Sequence, residues 1–466
     1  MDFINRKEEL QRLMRIYKRS EPGLVVIWGR RRLGKSRLLT EWCRKVSGTY
    51  WVADESAPAI QRRYLAEELN ALFPGFADVT YPDWATLLKR ISTEARQRNW
   101  RGPLVLDEFP YLVAGSPELP SVLQRWVDRE KREGCMMLAL SGSSQRMMQD
   151  SILHENAPLY GRADEMFKLE PLLPGYIRQI TSISDPQSML DFYACWGGVA
   201  RYWELAQPFG NRCRDALDEC VLSPLGVLHD EVNRLLREEI PSAIPLRPIL
   251  DAIGLGAHRT SEIAARLQIP VTSFSRSLKQ LQELGYIQRD IPYGENEKRS
   301  KKALYSLSDP FLRLWFKVVA PHLGNLQTAS KAARMAWLEK SWPFLRSQVW
   351  EDLCRMALPR LGLCNREWLP AGRYWTANQS EWDVVSTSLE DDLLILGECK
   401  CLSRPTTQKD IDKAIQTLKR KKVPETLNRA NCIEYVIFVP SLAQTPQALP
   451  QNTRLVDGQA IFNALT

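Results

Sequence analysis

An eight-residue segment near the N-terminus has the residue types and the spacing of a phosphate-binding loop. It reads GRRRLGKS and matches the pattern G-x-x-x-x-G-K-[ST]. In such a loop the backbone N–H groups surround phosphate oxygens, the lysine reaches the outer phosphates and the hydroxyl ligates Mg²⁺. The pattern therefore predicts a site for ATP and Mg²⁺, in which Lys35 also acts in catalysis and Ser36 is a metal ligand. The predicted nucleotide-binding residues are Gly29, Arg30, Arg31, Arg32, Leu33, Gly34, Lys35 and Ser36.

An acidic pair follows the apolar run PLVL at residues 103 to 106. Asp107 is predicted to hold Mg²⁺ through water, and Glu108 to orient and polarise the water that attacks the outer phosphate. Further along, the run CMMLALSGS ends in serines, of which Ser141 or Ser143 is expected near that phosphate. The adjacent glutamate favours hydrolysis over simple nucleotide binding.

Arg162, in the segment PLYGRAD, has two interpretations. It is either a catalytic arginine that stabilises transition-state charge, within its own chain or across a subunit interface, or a surface residue paired with Asp164 or Glu165. The sequence leaves both interpretations open.

A second set of residues that could do chemistry, three carboxylates and a lysine, lies in the C-terminal part of the chain. Asp383 lies in one apolar run and Glu398-x-Lys400 in the next, while Glu351 belongs to the helical stretch SQVWEDLCRM. This set resembles the PD-(D/E)xK nuclease pattern. The resemblance implies that the three carboxylates bind Mg²⁺ and that Asp383, Glu398 and Lys400 act in catalysis. Alternatively, the domain keeps the nuclease-like fold but does not cut nucleic acid. The basic run at 419 to 422 is either a phosphate contact or a solvated helix end.

The elements that position these residues form an α/β pattern. Apolar runs at 24 to 28, 49 to 54, 103 to 108 and 135 to 143 alternate with amphipathic stretches, which predicts a parallel sheet covered by helices over residues 1–171. The sequence predicts a helical lid over residues 172–245 and a winged helix-turn-helix over residues 246–320. Residues 321–466 predict a restriction-endonuclease-like α/β domain, with strands near 381 to 388, 392 to 400 and 432 to 440.

Residues 259 to 285 have the pattern of a helix-turn-helix. In its second helix Val271, Phe274, Leu278 and Leu281 mark a buried face. Polar and basic side chains are expected to face DNA from this helix and from a basic hairpin turn: Ser273, Ser275, Arg276, Lys279, Lys298, Arg299, Lys301 and Lys302. Alternatively, the domain only packs between neighbouring modules.

Composition limits the class of protein. A chain of 466 residues predicts several domains, and a net charge of +8 favours polyanionic partners such as DNA. The charged N-terminus and the lack of a long apolar segment predict a cytoplasmic protein without a membrane partner.

Six segments occur in the order seen in one protein family: FINRKEEL, WGRRRLGKS, LVLDEFPYL, SGSS, PLYGR and CWGGVARYW. On these segments the chain resembles archaeal and bacterial P-loop ATPases of the signal-transducing STAND class. The resemblance implies a P-loop domain joined to a winged helix and often to a nuclease-like domain, with Arg6 near the nucleotide. The family's lid motif GG-x-P here has Ala200 in place of the proline.

Three functions agree with these patterns. The first is an ATP-driven switch that controls DNA binding or cleavage by the C-terminal half. The second is an ATP-responsive DNA-binding regulator with an inert nuclease-like scaffold. The third is an oligomeric signalling ATPase, either a homo-oligomer or one that binds a protein partner.

Overall fold

The computed structural model describes residues 5–19, 21–143, 148, 152, 154–239, 246–376, 379–424, 427 and 432–466. The chain divides into two compact units, Met1–Pro171 and Leu172–Thr466. The predicted division of the second unit into lid, winged helix and nuclease-like domain stays a prediction.

The first unit contains a five-stranded sheet in the order β2-β3-β4-β1-β5, in which every pair of neighbours is parallel. The predicted α/β sheet is thus confirmed, with the addition of a fifth strand. Its strands are β1 Gly23–Trp28, β2 Thr49–Val52, β3 Leu104–Asp107, β4 Met137–Gly142 and β5 Glu165–Lys168.

Helices connect the strands of this sheet. They are α1 Lys7–Lys18, α2 Lys35–Val46, α3 Pro58–Asn70, α4 Trp84–Gln97, α5 Phe109–Gly115 and α6 Leu119–Glu133. The apolar residues of α3, α4, α5 and α6 join the buried strands in one core. Because all five strands are parallel, their carboxyl ends meet at one edge of the sheet.

The second unit begins with helices. They are α7 Ile177–Ile180, α8 Pro186–Trp196, α9 Ala200–Ala206, α10 Cys213–Leu217 and α11 Glu231–Glu239, with 3₁₀ turns at Pro174–Tyr176 and Gln207–Phe209 and a π-helical turn at Asp218–Leu222. No strand occurs within 172–239, as the sequence predicts, while 240–245 lie outside the described residues.

Three helices and a hairpin come next. They are α12 Arg247–Gly254, α13 Thr260–Leu267, α14 Val271–Glu283 and the antiparallel strands β6 Ile287–Asp290 and β7 Leu304–Leu307. Phe274, Leu278 and Leu281 are buried as predicted, but Val271 is 38% exposed. Its predicted burial is wrong because it is the first residue of α14, where the helix end extends past the packed face.

A long helix leads into the C-terminal sheet. The helices are α15 Pro310–Leu314, α16 Leu323–Leu326 and α17 Lys331–Ala357, with a π-helical turn at Trp315–Val319 and 3₁₀ turns at Ala320–His322, Leu358–Arg360 and Leu363–Asn365. In α17, nine side chains are buried, including those of Leu338, Trp350 and Leu353. This helix packs against α8 and against two strands of the C-terminal sheet.

The C-terminal sheet has the order β12-β11-β10-β9-β8. Its elements are β8 Gly372–Thr376, β9 Gln379–Thr387, β10 Leu393–Cys399, α18 Gln408–Arg420, β11 Cys432–Val439, β12 Thr453–Asp457 and α19 Gly458–Ala464. The pairs β8–β9 and β9–β10 are antiparallel, and the pairs β10–β11 and β11–β12 are parallel. The three predicted strands are confirmed within two residues at each end.

In the part of the chain that the structure describes, no helix combines the length and the apolar character that a membrane crossing requires.

Candidate functional site

The predicted phosphate loop connects β1 to α2. Gly29 has φ 151° and Gly34 has φ 94°, which are conformations that side chains rarely allow. A Cβ on Gly29 would also lie 2.8 Å from the carbonyl oxygen of Leu169. The two glycines therefore let the backbone turn sharply and begin the helix at Lys35, so that backbone N–H groups at the N-terminus of α2 are available to an anion.

The lysine and the serine of the loop lie where a nucleotide-binding role needs them. Lys35 is buried, and its Nζ donates to the carbonyl oxygens of Gly29 at 2.8 Å and Arg30 at 3.1 Å. Ser36 Oγ donates to Asp107 Oδ2 at 2.7 Å, which brings the loop and the end of β3 together. Hydroxyl and carboxylate oxygens are the ligands that Mg²⁺ favours, so Ser36 and Asp107 fit that ion.

The other acidic residue is held by the end of β4. Glu108 has φ 52°, and its Oε2 accepts from Ser143 Oγ at 2.8 Å and from the Ser143 N–H at 3.2 Å. Because β4 lies between β1 and β3, its end brings Ser143 between the phosphate loop and the acidic pair. Of the two predicted serines, Ser143 thus contacts the site, whereas the Ser141 hydroxyl is buried and has no partner among the described residues.

Tyr50 is a residue of this site that the sequence did not indicate. It lies in β2, and its hydroxyl donates to Asp107 Oδ2 at 2.6 Å, the oxygen that also accepts from Ser36. Burial, and then the negative charge of Asp107, raise the pKa of the Tyr50 hydroxyl, which therefore stays a donor. Only the pairing of β2 with β3 brings Tyr50 to Asp107, and a tyrosine in a short strand gives no sign of it.

Tyr50→Phe is expected to weaken the Mg²⁺ dependence of nucleotide turnover. Without the hydroxyl, Asp107 loses a partner that fixes its carboxylate, and such losses cost about tenfold in metal affinity. We expect the Mg²⁺ concentration for half-maximal turnover to rise about tenfold, with the maximal rate changed much less. Tyr81→Phe is the matched control, since Tyr81 donates to the Phe76 carbonyl oxygen instead. An unchanged Mg²⁺ requirement would contradict this role.

Arginines surround the loop. Arg6 is buried, and its Nη2 donates to the Leu33 carbonyl oxygen at 3.0 Å while its Nη1 pairs with Glu9 at 2.9 Å. The Arg6 guanidinium thus contacts the loop, and burial lowers its pKa. Arg31 Nη2 donates to the Tyr111 hydroxyl at 2.7 Å. The loop residues Arg30, Arg31, Arg32 and Leu33 form its outer turn, in which Arg32 has φ 68°.

Arg162 has a different partner from those that the sequence suggested. Its Nε and Nη2 donate to the two carboxylate oxygens of Asp128, at 2.8 and 3.1 Å. The predicted partners Asp164 and Glu165 pair instead with Lys131 and Arg12. The predicted pairing is therefore wrong, because helix α6 brings Asp128 beside Arg162.

In the C-terminal sheet, two of the predicted residues face each other across neighbouring strands. The register that pairs Val384 with Gly397 places Asp383 opposite Glu398. Like charges at opposed positions repel each other. Burial, and then the charge of Glu398, raise the pKa of Asp383, whose Oδ2 accepts from the Cys399 N–H at 2.8 Å.

Two lysines neutralise Glu398. Lys400 Nζ donates to Oε1 at 2.7 Å, and Lys421 Nζ donates to Oε2. Burial opposes ionisation of Glu398, but the hydrogen bonds from both lysines outweigh it and hold its pKa below the usual value. Lys421 belongs to the run for which the sequence suggested a phosphate contact or a solvated helix end, and its ion pair with Glu398 contradicts a solvated end at this residue.

Glu351 lies on α17, where its Oε2 is 3.6 Å from Arg355 Nη1. Burial, and then the charge of Asp383, raise the pKa of Glu351 to about 7. Among the described residues, no three His, Cys, Asp or Glu side chains are placed to hold a metal ion. The predicted metal set of Glu351, Asp383 and Glu398 is therefore not assembled, and both oxygens of Glu398 pair with lysine ammonium groups instead.

Helix α14 exposes the side chains that the sequence assigned to DNA. Ser273, Ser275, Arg276 and Lys279 are all exposed, and the Lys279 ammonium lies 3.5 Å from Glu283. In the hairpin turn Lys298, Arg299, Lys301 and Lys302 are exposed, and Lys302 pairs with Glu295 at 2.6 Å. The basic face of α14 is therefore accessible within its own unit.

Comparison with known proteins gives two family matches. Residues 3–202 match a family described as an ATPase domain predominantly from Archaea. Residues 315–413 match a family described as archaeal and bacterial proteins of unknown function.

Individual proteins and one solved structure are also similar to this chain. The chain is 25% identical over 423 residues to an uncharacterized protein of Methanocaldococcus jannaschii, covering 90% of this chain and 91% of that protein. Over 40 residues it is 42% identical to an uncharacterized ATP-binding protein of the same organism, which covers 9% of this chain and 68% of the relative. A Walker-type ATPase of Pyrococcus abyssi has a similar structure, with a TM-score of 0.52, 17% identity, and 68% of this chain and 97% of that chain covered. Together with the parallel sheet and the loop, these matches show that the chain carries a P-loop ATPase domain.

Proposed function

We propose that the chain is an ATP-hydrolysing switch whose nucleotide state controls DNA binding by its second unit. The observation that carries the proposal is the convergence of Lys35, Ser36, Asp107, Glu108 and Ser143 at the carboxyl ends of three neighbouring strands. Phosphate contacts, metal ligands and a candidate general base thus lie together, which is what phosphoryl transfer to water requires.

Each residue has a defined role in this proposal. The N–H groups of residues 29 to 34 and the Lys35 ammonium bind the phosphates, while Ser36 and Asp107 would hold Mg²⁺. Mg²⁺, when bound, offsets the charge of the outer phosphates. Glu108 orients the attacking water and accepts its proton, and the two hydrogen bonds from Ser143 fix the direction of the Glu108 carboxylate.

Two arginines have supporting roles. Arg6 holds the loop in shape through the Leu33 carbonyl oxygen, and the resemblance to STAND ATPases implies that it also lies near the nucleotide. Arg162 stays a candidate for stabilising transition-state charge. To do so, in its own chain or across a subunit interface, it would first have to leave Asp128, with which it makes a bidentate pair.

For the second unit we propose a winged helix that binds DNA. The order α12, α13, α14, β6, β7 is that of a winged helix-turn-helix, and α14 has the position of the recognition helix. The exposed Arg276 and Lys279 would contact the DNA backbone or base edges from the major groove.

Replacing both Arg276 and Lys279 by alanine is expected to weaken duplex DNA binding about tenfold and to reduce the slope of log K against log salt by about 1 to 2. Each lost phosphate contact releases about one counterion fewer, which produces the change in slope. Fluorescence anisotropy of a labelled duplex at several salt concentrations measures both quantities.

The matched control removes the same charge elsewhere in the unit, by Arg201→Ala with Lys340→Ala. Both are exposed, and Arg201 pairs with Glu204 at 3.1 Å. If both double variants weakened DNA binding equally, the net charge of the protein, and not the surface of α14, would explain the loss. The absence of any salt-sensitive binding would instead favour a signalling ATPase that binds protein.

A further inference from the structure

The carboxylates of the C-terminal sheet resemble a nuclease site in pattern but not in their partners. Each oxygen of Glu398 accepts a hydrogen bond from a lysine ammonium, from Lys400 at 2.7 Å and from Lys421. Asp383 Oδ2 accepts the Cys399 N–H at 2.8 Å. A divalent cation needs several carboxylate or carbonyl oxygens with lone pairs directed at it, and here both Glu398 oxygens and Asp383 Oδ2 already accept hydrogen bonds from protein N–H groups.

Lys421 is held in place by three contacts of different kinds. Besides its pair with Glu398, its Nζ donates to the Glu381 carbonyl oxygen at 2.6 Å and lies 5.0 Å from the centre of the Trp382 ring. The Lys421 side chain is 18% exposed to solvent, whereas the neighbouring Lys419 and Arg420 are exposed. The Lys421 ammonium thus contacts a carboxylate, a carbonyl oxygen and an aromatic ring. These contacts make it a fixed part of the site rather than a solvated charge.

The two opposed carboxylates have two lysine ammonium groups beside them. Asp383 and Glu398 face each other with like charge, which would be unfavourable if nothing offset it. Lys400 and Lys421 supply two positive charges against these two negative ones. A divalent cation added to this group would meet two ammonium groups at hydrogen-bond distance from the same carboxylate, and it would be repelled by both.

We propose that the Lys421 ammonium takes the place of the divalent cation, so that the C-terminal sheet keeps the carboxylate and lysine pattern of a nuclease but binds no Mg²⁺. The site is then structural, and the second unit does not hydrolyse phosphodiesters. This inference does not depend on the proposed ATPase function, since it concerns a different unit of the chain.

The test is Mn²⁺ binding to the full-length protein without nucleotide, with free Mn²⁺ measured by electron paramagnetic resonance. Four proteins are compared: wild type, Asp383→Ala, Lys421→Met, and Lys421→Met combined with Asp383→Ala. We expect wild type and Asp383→Ala to bind equal amounts of Mn²⁺. Lys421→Met should bind one further equivalent, which the double variant loses.

Two results would overturn the proposal: a wild-type Mn²⁺ site that Asp383→Ala abolishes, or a Lys421→Met protein that gains no site. Lys419→Met is the matched control, because it removes an exposed lysine of the same run and should gain nothing. Lys421→Gln keeps a polar side chain if the methionine variant folds poorly, and thermal melting of each variant identifies such a case. A gain that depends on Asp383 cannot arise from unfolding.

Discussion

Glu108→Gln is expected to lower steady-state ATP turnover about 100-fold or more, while the Kd for ATP stays within about threefold of wild type. The amide keeps the shape of the side chain and can still contact Ser143, but it cannot accept a proton from water. Removal of a general base typically costs a factor of about 10² to 10⁴. Phosphate release measures turnover, and titration with a fluorescent ATP analogue measures binding.

Glu118→Gln is the control for this prediction, since Glu118 is exposed at the start of α6 and should tolerate the same change. If Glu108→Gln turned over ATP at nearly the wild-type rate, another group would have to activate the water. The assignment of Glu108 as the base would then be wrong, although ATP binding at the loop would stand.

Lys35→Ala is expected to weaken ATP binding about 10- to 100-fold, because hydrogen bonds to charged groups contribute about 1.5 to 3 kcal/mol each. Turnover should fall further, by about 100-fold or more, since the ammonium also offsets charge that develops in the transition state. The two measurements used for Glu108→Gln separate these effects. The two variants should differ in ATP binding, which only the lysine change weakens.

Lys45→Ala serves as control on the same helix, because Lys45 is 41% exposed and pairs with Glu41. Thermal melting is measured in parallel, since the Lys35 ammonium also donates to two carbonyl oxygens of the loop. A folded Lys35→Ala protein that binds ATP as wild type does would contradict the assignment of the loop as the phosphate site.

Local features of this fold could be predicted from the sequence. The loop is encoded by glycines with positive φ between an apolar run and an amphipathic helix, and all of these lie within about 25 residues of one another. Strands β1 to β4 are likewise short apolar runs, and the structure confirms them. The roles assigned to Lys35, Ser36, Asp107 and Glu108 stay predictions, although their contacts agree with those roles.

Three of the four edge strands in the two five-stranded sheets were harder to predict than the fourth, β2. Strands β5 and β12 are EMFK and TRLVD, and β8 is GRYWT, which mix charged, glycine and apolar residues. Each lies at the end of its sheet's strand order and pairs on one side only. Such strands need no continuous apolar run, so they leave little periodic pattern in the sequence.

Partners from distant parts of the chain could not be predicted. Tyr50 and Asp107 meet because β2 lies beside β3, and Lys421 reaches Glu398 across 23 residues. Arg162 pairs with Asp128 for a similar reason, through the position of α6. Strand order and helix packing determine such contacts. The spacing of residue types along the sequence does not show which strands and helices lie side by side.

The central claim is that the bound nucleotide changes the affinity of the protein for DNA. The most direct test measures the affinity of the Glu108→Gln protein for one DNA duplex, first with ATP and then with ADP. This variant holds ATP without hydrolysing it, so each state can be measured at equilibrium. The account predicts affinities that differ at least about fivefold between the two nucleotides, a typical lower bound for coupled sites. Equal affinities with both nucleotides bound would contradict it.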